Sequence, residues 1–368
     1  MSPSGSLAVL CVNSGSSSLK TALFEVDGTG ERALGRAAHP VEAGDYTAAL
    51  DAALTAFDKQ GLPSPGAAGH RVVHGGPRYA EPALVDDDVL TDLRELAPFA
   101  PMHMPAAIAG IEAIRARWDI PQVACFDTAF HHQMPELAQR LPLPDALWDA
   151  GVRRYGFHGL SYEYIVGALG AAELGRAVIA HLGNGASMVA VHHGQSVDTT
   201  MGFTPAGGLV MSTRSGDLDP GVPVYLLREQ GYDADRLEQL VDREAGLVAL
   251  SGDTSDMQAL LELRKQDPRA ELAVNAFCYH ARKHVGALAA VLGGLDTLVF
   301  TGGIGEQAAA IRGGICDGLE HLGVEIDDAA NAEHAAVIGS PGAACVVRVE
   351  RTDEDLVIAR HTRALVAS

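Results

Sequence analysis

The 368-residue sequence has few aromatic residues (5%), only five cysteines and no long apolar run. The cysteines are scattered and form no Cys-x-x-Cys pair, which predicts reduced thiols in a cytosolic chain and no zinc site. No segment approaches the ~18 unbroken apolar residues of a membrane span. The first residues also lack the basic start and apolar block of a signal peptide. We therefore expect a cytoplasmic protein with no membrane partner.

Basic residues are also scarce, with 27 Lys and Arg against 47 Asp and Glu and a net charge of −20. This balance argues against nucleic acid or an anionic membrane as a main partner. An acidic chain that binds phosphate must use local positive groups, so individual arginines are informative. The dipeptide Gly-Lys never occurs, which excludes a Walker A loop.

The composition, 47% apolar and 20% charged, predicts a globular chain, and the length predicts about two domains. Strand and helix patterns alternate, which indicates an α/β layer architecture. A helix is predicted over 234–244 and a longer one over 268–292, and the apolar face of the longer helix carries Phe277, Ala281, Val285, Leu288 and Leu292. The last helix is predicted to begin near Asp353 with a capping box at Thr352-x-x-Asp355 and to return to the first domain.

A strand–turn–strand unit at the start of the chain predicts an anion site. An apolar strand over 8–12 leads into a turn at 13–15, and a second strand is predicted over 16–24. The tip is rich in small hydroxyl residues that leave backbone N–H groups exposed, and Lys20 adds a positive charge. Asn13 could offer its oxygen to a metal, directly or through water. The alternative is an ordinary hairpin with a serine-rich turn.

Two later glycine-rich turns follow predicted strands. Gly183-Asn184-Gly185-Ala186 lies between strands at 177–182 and 187–192, so it repeats the first hairpin in shape and suggests two related domains facing one cleft. Gly302-Gly303-Ile304-Gly305 follows a predicted strand over 295–301 and precedes a helix, a position typical of a phosphate or nucleotide loop. Its spacing is not that of a dinucleotide fingerprint, and tight packing is the alternative explanation.

Five charged or imidazole side chains are candidates for chemistry. Arg71 and Arg214 lie in loops at strand ends, where α/β folds bind ligands, and a guanidinium fork suits carboxylate and phosphate. Asp127 ends a buried strand, His158 lies in an aromatic and glycine loop, and His181 precedes the second glycine turn. Each of the five also has a structural alternative as a paired or packed side chain.

Nine segments of the sequence together resemble the signature segments of the acetate kinases, in family order and over nearly the whole chain. These segments are 13–20, 70–76, 126–131, 154–159, 181–185, 198–205, 213–220, 300–306 and 352–356. The resemblance implies the superfold of acetate and sugar kinases, heat-shock chaperones and actin. We thus expect two ribonuclease-H-like (actin-like ATPase) α/β domains, with mixed sheets flanked by helices and a nucleotide cleft between them. The expected boundaries are 1–129 with 354–368 for the first domain, and 130–353 for the second.

The resemblance also implies a role for each matching residue of the site. It assigns the metal to Asn13 and Glu354, the phosphate hairpin to Ser16, Ser18 and Lys20, and catalysis to Arg71, Asp127, His158 and Arg214. It assigns the acetate pocket to Arg71, Val73, Met102, His103, Phe157 and Pro205. It assigns the nucleotide to His181, Leu182, Gly183, Asn184, Gly185, Asp256, Met257, Gln258, Gly303, Ile304, Gly305, Glu306 and Gln307.

The implied reaction is reversible transfer of the ATP γ-phosphoryl group to acetate, with Mg²⁺ or alternatively Mn²⁺. A homodimer formed through the second domain is also implied. Gln258 departs from the family pattern, which has an arginine there, and this puts the donor preference in question. The alternatives are a propionate or butyrate kinase, a pyrophosphate-dependent relative, and a non-kinase ATPase of the same superfold.

Overall fold

The structure is a computed structural model that describes residues 6–15, 18–27, 30–42 and 44–367. These residues divide into two compact units. The first unit comprises the described residues up to His132, together with Gly159–Tyr164 and the chain from Asp353 onward. The second unit comprises Gln133–His158 and Ile165–Thr352.

Runs of strands and runs of helices follow one another along the chain, so strict alternation holds only in parts of it. Up to the sixth strand they are β1 Leu7–Ser14, β2 Ser18–Val26, β3 Glu31–Pro40, α1 Tyr46–Lys59, β4 Ala67–Val72, β5 Ala83–Leu84, α2 Asp87–Glu95, α3 Met104–Arg117 and β6 Gln122–Phe126. Next come α4 Glu136–Gln139, α5 Asp145–Asp149, α6 Gly159–Leu169, α7 Ala171–Leu174, β7 Arg176–Leu182, β8 Ala186–His192 and β9 Gln195–Thr199. The remainder are α8 Gly221–Glu229, α9 Ala234–Gln239, α10 Gly246–Ser251, α11 Met257–Leu263, α12 Pro268–Leu292, β10 Thr297–Thr301, α13 Gly302–Gln307, α14 Ala309–Cys316, α15 Asp328–Ala332, β11 Val346–Val349 and α16 Glu354–Val366.

The first unit contains a mixed sheet with the strand order β3-β2-β1-β4-β6-β5. Strands β1, β2 and β3 are antiparallel neighbours, whereas β4 is parallel to both β1 and β6. Alternate residues of β1 enter the two cores of the unit. Leu10 and Val12 pack with α1 and α3, while Val9 and Cys11 pack with α16. Strand β1 is therefore buried on both faces, which explains its continuous apolar run.

A glycine lets the last helix approach the centre of this sheet. A Cβ added at Gly69 of β4 would lie 2.2 Å from Thr362 Oγ1 and 2.5 Å from Ile358 Cγ2, both on α16. Only the absence of a side chain at position 69 permits this packing. Helix α16 thus packs against the sheet of the first unit.

The second unit repeats the strand connections of the first. Its sheet has the order β11-β10-β7-β8-β9, with β7, β8 and β9 antiparallel and with β10 parallel to both β7 and β11. Each unit thus has an antiparallel meander whose first strand pairs in parallel with a later strand. The β1–β2 and β7–β8 turns occupy equivalent positions, so the predicted repeat and the two-domain α/β fold class are confirmed.

Several predicted helix boundaries are wrong. The helix predicted after Gly305 already begins at Gly302. The helix predicted over 234–244 changes at Leu240–Glu244 into one π turn. Asp353, and not Thr352, caps the last helix, because its side chain accepts a hydrogen bond from the Leu356 amide. The predicted capping box is therefore wrong.

The apolar face of α12 is buried inside its own unit. Of the predicted residues, Phe277, Ala281, Val285 and Leu288 are buried and Leu292 is half-buried. The helix packs across β7, β8 and β9. This face therefore offers no spare surface for a second copy of the chain. No helix among the described residues is long and apolar enough to span a bilayer.

Candidate active site

The predicted phosphate hairpin is the connection between β1 and β2. Asn13 pairs with Lys20 across the two strands, and the Gly15 amide donates to the Ser18 carbonyl at 2.8 Å. The Tyr46 hydroxyl of α1 donates to the Gly15 carbonyl at 2.9 Å, which ties the tip to the body of the unit. Lys20 is exposed, and Ser16 lies outside the described residues. The hairpin is therefore built as predicted over its described part.

Arg71 and Asp127 form a close ion pair at the ends of β4 and β6. Arg71 Nε lies 3.0 Å from both carboxylate oxygens, and Nη2 lies 2.5 Å from Oδ2. The Asp127 side chain is 1% exposed, whereas that of Arg71 is 21% exposed. The two strands are parallel neighbours, so their carboxyl ends lie side by side although 56 residues separate the pair in sequence. Asp127 thus holds the arginine with two oxygens.

The two predicted metal ligands also face the Arg71 guanidinium. Asn13 Oδ1 lies 3.4 Å from Arg71 Nη1, and Glu354 Oε2 lies 3.6 Å from Arg71 Nε. Asn13 comes from β1 and Glu354 from the first turn of α16, so the fold brings both to one place in the first unit. Burial alone would lower the pKa of Arg71, but the carboxylates of Asp127 and Glu354 outweigh it and raise that pKa.

The oxygens around Arg71 suit a hard divalent cation. Amide and carboxylate oxygens are the ligands that Mg²⁺ takes, together with water and substrate phosphates. The described residues contain no cluster of three or more His, Cys, Asp or Glu side chains that could hold a metal. A cation at Asn13 and Glu354 would therefore complete its shell with water and phosphate oxygens, as Mg²⁺ commonly does.

Arg36 of β3 forms ion pairs with the two residues that flank Glu354 at the start of α16. Arg36 Nη2 lies 2.6 Å from Asp353 Oδ2, and Nη1 lies 3.3 Å from Asp355 Oδ2. Burial raises the pKa of Asp355 to about 6, and the Arg36 guanidinium partly offsets that effect. These contacts fix the residues on both sides of Glu354.

The residues predicted for the acetate pocket are divided between the two units, and each unit positions its own. Val73 is buried and Met102 and His103 are half-buried, and all three belong to the first unit. His103 is the residue before α3. Phe157 is buried in the second unit, where Pro205 is half-buried and accepts a hydrogen bond from Arg214 Nη1 at 2.7 Å.

His158 is held in an unusual conformation next to His181. Its φ of 59° is left-handed, which costs energy in a residue other than glycine. Its ring stacks on that of His181 with the centroids 4.3 Å apart and the planes 21° apart. Its Nδ1 lies 2.9 Å from the Ser187 hydroxyl of β8. The backbone strain and the ring contacts together fix where the imidazole points.

Gly185 marks the point on which His158 and Arg214 converge. A Cβ added there would lie 2.8 Å from Arg214 Nη2 and 3.3 Å from His158 Nε2. An imidazole nitrogen and an always-charged guanidinium are therefore neighbours beside the glycine turn. Such a pair suits an anion with several oxygens.

The predicted nucleotide segments of the second unit meet around the same turn. The Ser212 amide donates to the Asn184 carbonyl at 3.2 Å, and the Ser212 hydroxyl lies 3.4 Å from Asn184 Oδ1 and 3.5 Å from the Ser255 carbonyl. Strands β7 and β10 are parallel neighbours, and His181 of β7 pairs with Thr301 of β10. A Cβ at Gly302 would lie 2.8 Å from the Leu182 carbonyl.

The remaining nucleotide residues differ in what their side chains do. The Asp256 carboxylate caps α11 by accepting from the Ala259 amide at 2.8 Å, while Gln258 is exposed and Met257 is buried. Glu306 Oε1 accepts from the Gly302 amide at 3.1 Å and the Thr352 amide at 3.4 Å. Gly303 and Gln307 are exposed, and no atom lies within 4 Å of a Cβ placed on Gly303.

Two buried polar residues in this region were not among the predicted site residues. Ser187 is a fully buried serine in strand β8, which is otherwise apolar up to the exposed His192 at its end. Arg312 is the one charged residue of α14, and it is fully buried. An isolated polar residue in an apolar element was the available signal for both.

The family model of the acetokinase family matches residues 28–360. The chain belongs to the acetokinase family. It is 50% identical to an acetate kinase of Methylocella silvestris over 306 residues, which is 82% of this chain and 75% of that protein. It is 42% identical to an acetate kinase of Pseudarthrobacter chlorophenolicus over 388 residues, covering 98% of this chain and all of that protein.

Solved structures of this family have the same fold. A crystal structure of acetate kinase from Porphyromonas gingivalis superposes with a TM-score of 0.85 at 34% identity, covering 98% of this chain and all of that one. A propionate kinase structure from Francisella tularensis gives 0.88 at 34% identity, covering 97% and 99% of the two chains. The expected actin-like ATPase fold of two mixed sheets flanked by helices is thus confirmed.

Proposed function

We propose that this chain is an acetate kinase (EC 2.7.2.1), which transfers the γ-phosphoryl group of ATP to acetate and forms acetyl phosphate and ADP. The reaction is reversible and uses a divalent metal, for which we propose Mg²⁺ with Mn²⁺ as a substitute. The observation that carries the proposal is the convergence of His158 Nε2 and Arg214 Nη2 beside Gly185. Membership of the acetokinase family supports the same activity.

The geometry fits a transfer that needs charge stabilisation more than proton transfer. Acetate is ionised at pH 7, because its pKa resembles that of a side-chain carboxyl group. The barrier lies in bringing two anions together and in stabilising negative charge on the phosphoryl oxygens. Arg71 would bind the carboxylate and phosphoryl oxygens, and His158 and Arg214 would stabilise the charge that develops in the transition state.

Asp127 is a positioning residue in this mechanism. Both of its oxygens contact Arg71, and its side chain is buried. It therefore fixes the guanidinium and is not required as a base. Asn13 and Glu354 would hold the metal, which when bound supplies charge neutralisation to the ATP phosphates.

A hydroxylamine trap tests the activity directly, because it converts an acyl phosphate into a coloured hydroxamate. The chain is assayed with acetate, propionate or butyrate against ATP, GTP or pyrophosphate. We expect the highest rate with acetate and ATP, loss of that rate with EDTA, and recovery with Mg²⁺ or Mn²⁺. Absence of hydroxamate with every pair would refute the proposed function.

A propionate kinase is the second candidate, because one of the structural relatives is described as such an enzyme. One methylene in an apolar pocket changes binding by only ~1–3 kcal/mol. The acyl-chain arms of the trap separate the two candidates by kcat/KM.

Gln258 gives a prediction about ATP affinity. It is exposed in the first turn of α11, and glutamine retains hydrogen bonding but has no charge. We expect Gln258→Arg to lower KM for ATP by up to about tenfold, equivalent to about 1.4 kcal/mol, with kcat and KM for acetate unchanged. The exposed Gln266→Arg is the matched control for added charge. An unchanged KM for ATP in the Gln258 variant would refute the charge argument.

We further propose that the first domain comprises 1–129 with 354–368 and that the second comprises 130–353. We also propose a homodimer formed through the second domain. Helix α8, in the second unit, supports the dimer because it buries none of its residues and exposes Val222, Val224, Tyr225 and Leu227 by 40–54%.

A cytoplasmic location is also proposed, and the five free, buried thiols support it.

Light scattering tests the dimer. We expect a dimer mass at micromolar concentration for the wild type and a monomer mass for Tyr225→Glu, because a charge is costly in an apolar interface. Leu137→Glu is the control, since Leu137 is 93% exposed on α4 of the same unit. A wild-type monomer would contradict the dimer, and an unaltered Tyr225→Glu dimer would exclude α8 from the interface.

A further inference from the structure

Ser187 makes the hydrogen bond that orients His158. Its hydroxyl lies 2.9 Å from Nδ1, the imidazole nitrogen opposite the one that faces Gly185 and Arg214. The serine is fully buried on β8, and its Cα pairs with that of His181 on β7. The His181 ring stacks on the His158 ring. Stacking fixes the plane of the imidazole, and the hydroxyl fixes its rotation within that plane.

We propose that Ser187 is a positioning residue for the phosphoryl transfer proposed above, on which this inference rests. The hydroxyl donates its proton to Nδ1 of His158 and so keeps the imidazole proton on Nε2. Which nitrogen of a histidine carries the proton is set by the hydrogen bond at the other nitrogen. Nε2 must donate if it is to stabilise a phosphoryl oxygen beside Arg214 Nη2.

The alternative role for Ser187 is purely structural, as a buried hydroxyl satisfied by a nearby ring. The two roles differ in what depends on His158. A structural serine affects folding and activity whether or not His158 is present. A positioning serine affects kcat only through the imidazole, so its effect disappears once the imidazole has been removed.

A double-mutant cycle on kcat separates these roles. We expect Ser187→Ala to lower kcat ~10–100-fold, by analogy with the loss of a residue that orients a metal-bound histidine. KM for ATP and acetate should change by less than about twofold. In the His158→Ala background we expect Ser187→Ala to have no further effect. Equal losses in the two backgrounds, or an unaltered kcat in the single variant, would overturn the proposal.

The matched control is Ser196→Ala. Ser196 is a buried serine on β9 of the same sheet and belongs to none of the proposed site segments. We expect it to keep wild-type kcat, which shows that loss of a buried hydroxyl in this sheet does not by itself impair turnover. A kcat for Ser196→Ala as low as that of Ser187→Ala would support the structural role and overturn ours.

Nitrogen-15 NMR provides a readout that does not depend on turnover. In the histidine-labelled protein, with His158 assigned by its absence in His158→Gln, we expect the Nε2–H tautomer for the wild type. A proton on Nδ1 would overturn the proposed direction of the hydrogen bond. If the wild type forms no acyl phosphate, the proposed function fails while this spectrum still tests the Ser187 contact.

Discussion

Replacing Arg71 by alanine is expected to lower kcat for acetyl phosphate formation by ~10²–10³-fold, the loss typical of one preorganised charge-stabilising donor. The guanidinium is held by Asp127 and faces Asn13 and Glu354. Side-chain oxygens of Asp127, Asn13 and Glu354 all lie within 3.6 Å of this guanidinium. The measurement is the initial rate in the hydroxylamine assay at saturating ATP and acetate.

The same substitution also removes the arginine that pairs with a buried carboxylate. Asp127 is 1% exposed, and breaking a buried ion pair costs roughly 3–5 kcal/mol of unfolding free energy. We therefore compare Arg71→Ala with the double variant Arg71→Ala/Asp127→Asn, in which the carboxylate charge is removed as well. Stability should partly recover in the double variant, whereas the rate should stay low.

A control arginine lies close by in sequence. Arg78 is exposed and forms a surface ion pair with Asp92, so Arg78→Ala should retain wild-type turnover. Wild-type turnover in a folded Arg71→Ala protein would remove Arg71 from the mechanism. Recovery of the rate in the double variant would instead mean that Arg71 serves only to neutralise Asp127.

Local sequence patterns predicted most of the secondary structure near the site. The apolar runs of β1 and β7 and the small polar turns after them are short-range signals, and both hairpins formed where expected. Strand β3 was not predicted, because its residues are mostly exposed or half-buried and carry no apolar run. The boundary of α16 was misplaced by one residue, because two potential capping residues, Thr352 and Asp353, are adjacent.

The contacts that make the site were not predictable in the same way. Arg71 and Asp127 were each singled out, but their pairing depends on β4 and β6 being neighbours in the sheet. The roles of Ser187 and Arg312 depend on partners 29 and 19 residues away in sequence. Sequence pattern can mark a buried polar residue as unusual, but sheet order and helix packing decide what it contacts.

The second large effect is expected at Arg312, which donates hydrogen bonds to backbone carbonyls of the predicted nucleotide segment. The side chain is fully buried on α14, and Nη1 donates to the carbonyls of Gly305 at 2.8 Å and Glu306 at 3.0 Å. Nε and Nη2 donate to Asn331 Oδ1 and to the Asn331 carbonyl, both at 2.8 Å. Burial lowers the pKa of Arg312, and these oxygens solvate its charge.

Arg312→Met should leave several of these oxygens without a hydrogen-bond donor. Each unsatisfied buried group lowers the free energy of unfolding by ~1–3 kcal/mol. After relaxation, we expect the second unit to lose roughly 3–5 kcal/mol of unfolding free energy, and 302–307 to lose its fixed geometry. Urea unfolding followed by circular dichroism measures the first effect. Hydrogen exchange of the amides in 302–307 measures the second.

The matched control is Arg282→Met, which removes an arginine that contacts the same helix. Arg282 donates to the Gly314 carbonyl at 2.7 Å and pairs with an exposed Asp317, and its side chain is 33% exposed. Solvent can replace those contacts, so we expect a loss of at most about 1 kcal/mol. Arg312→Lys should fall between the two, because lysine keeps the charge but cannot form the fork. If Arg312→Met unfolds no more easily than Arg282→Met, the arginine does not support 302–307. If it unfolds easily but those amides keep their protection at low urea, the support acts on α15 and not on the nucleotide segment.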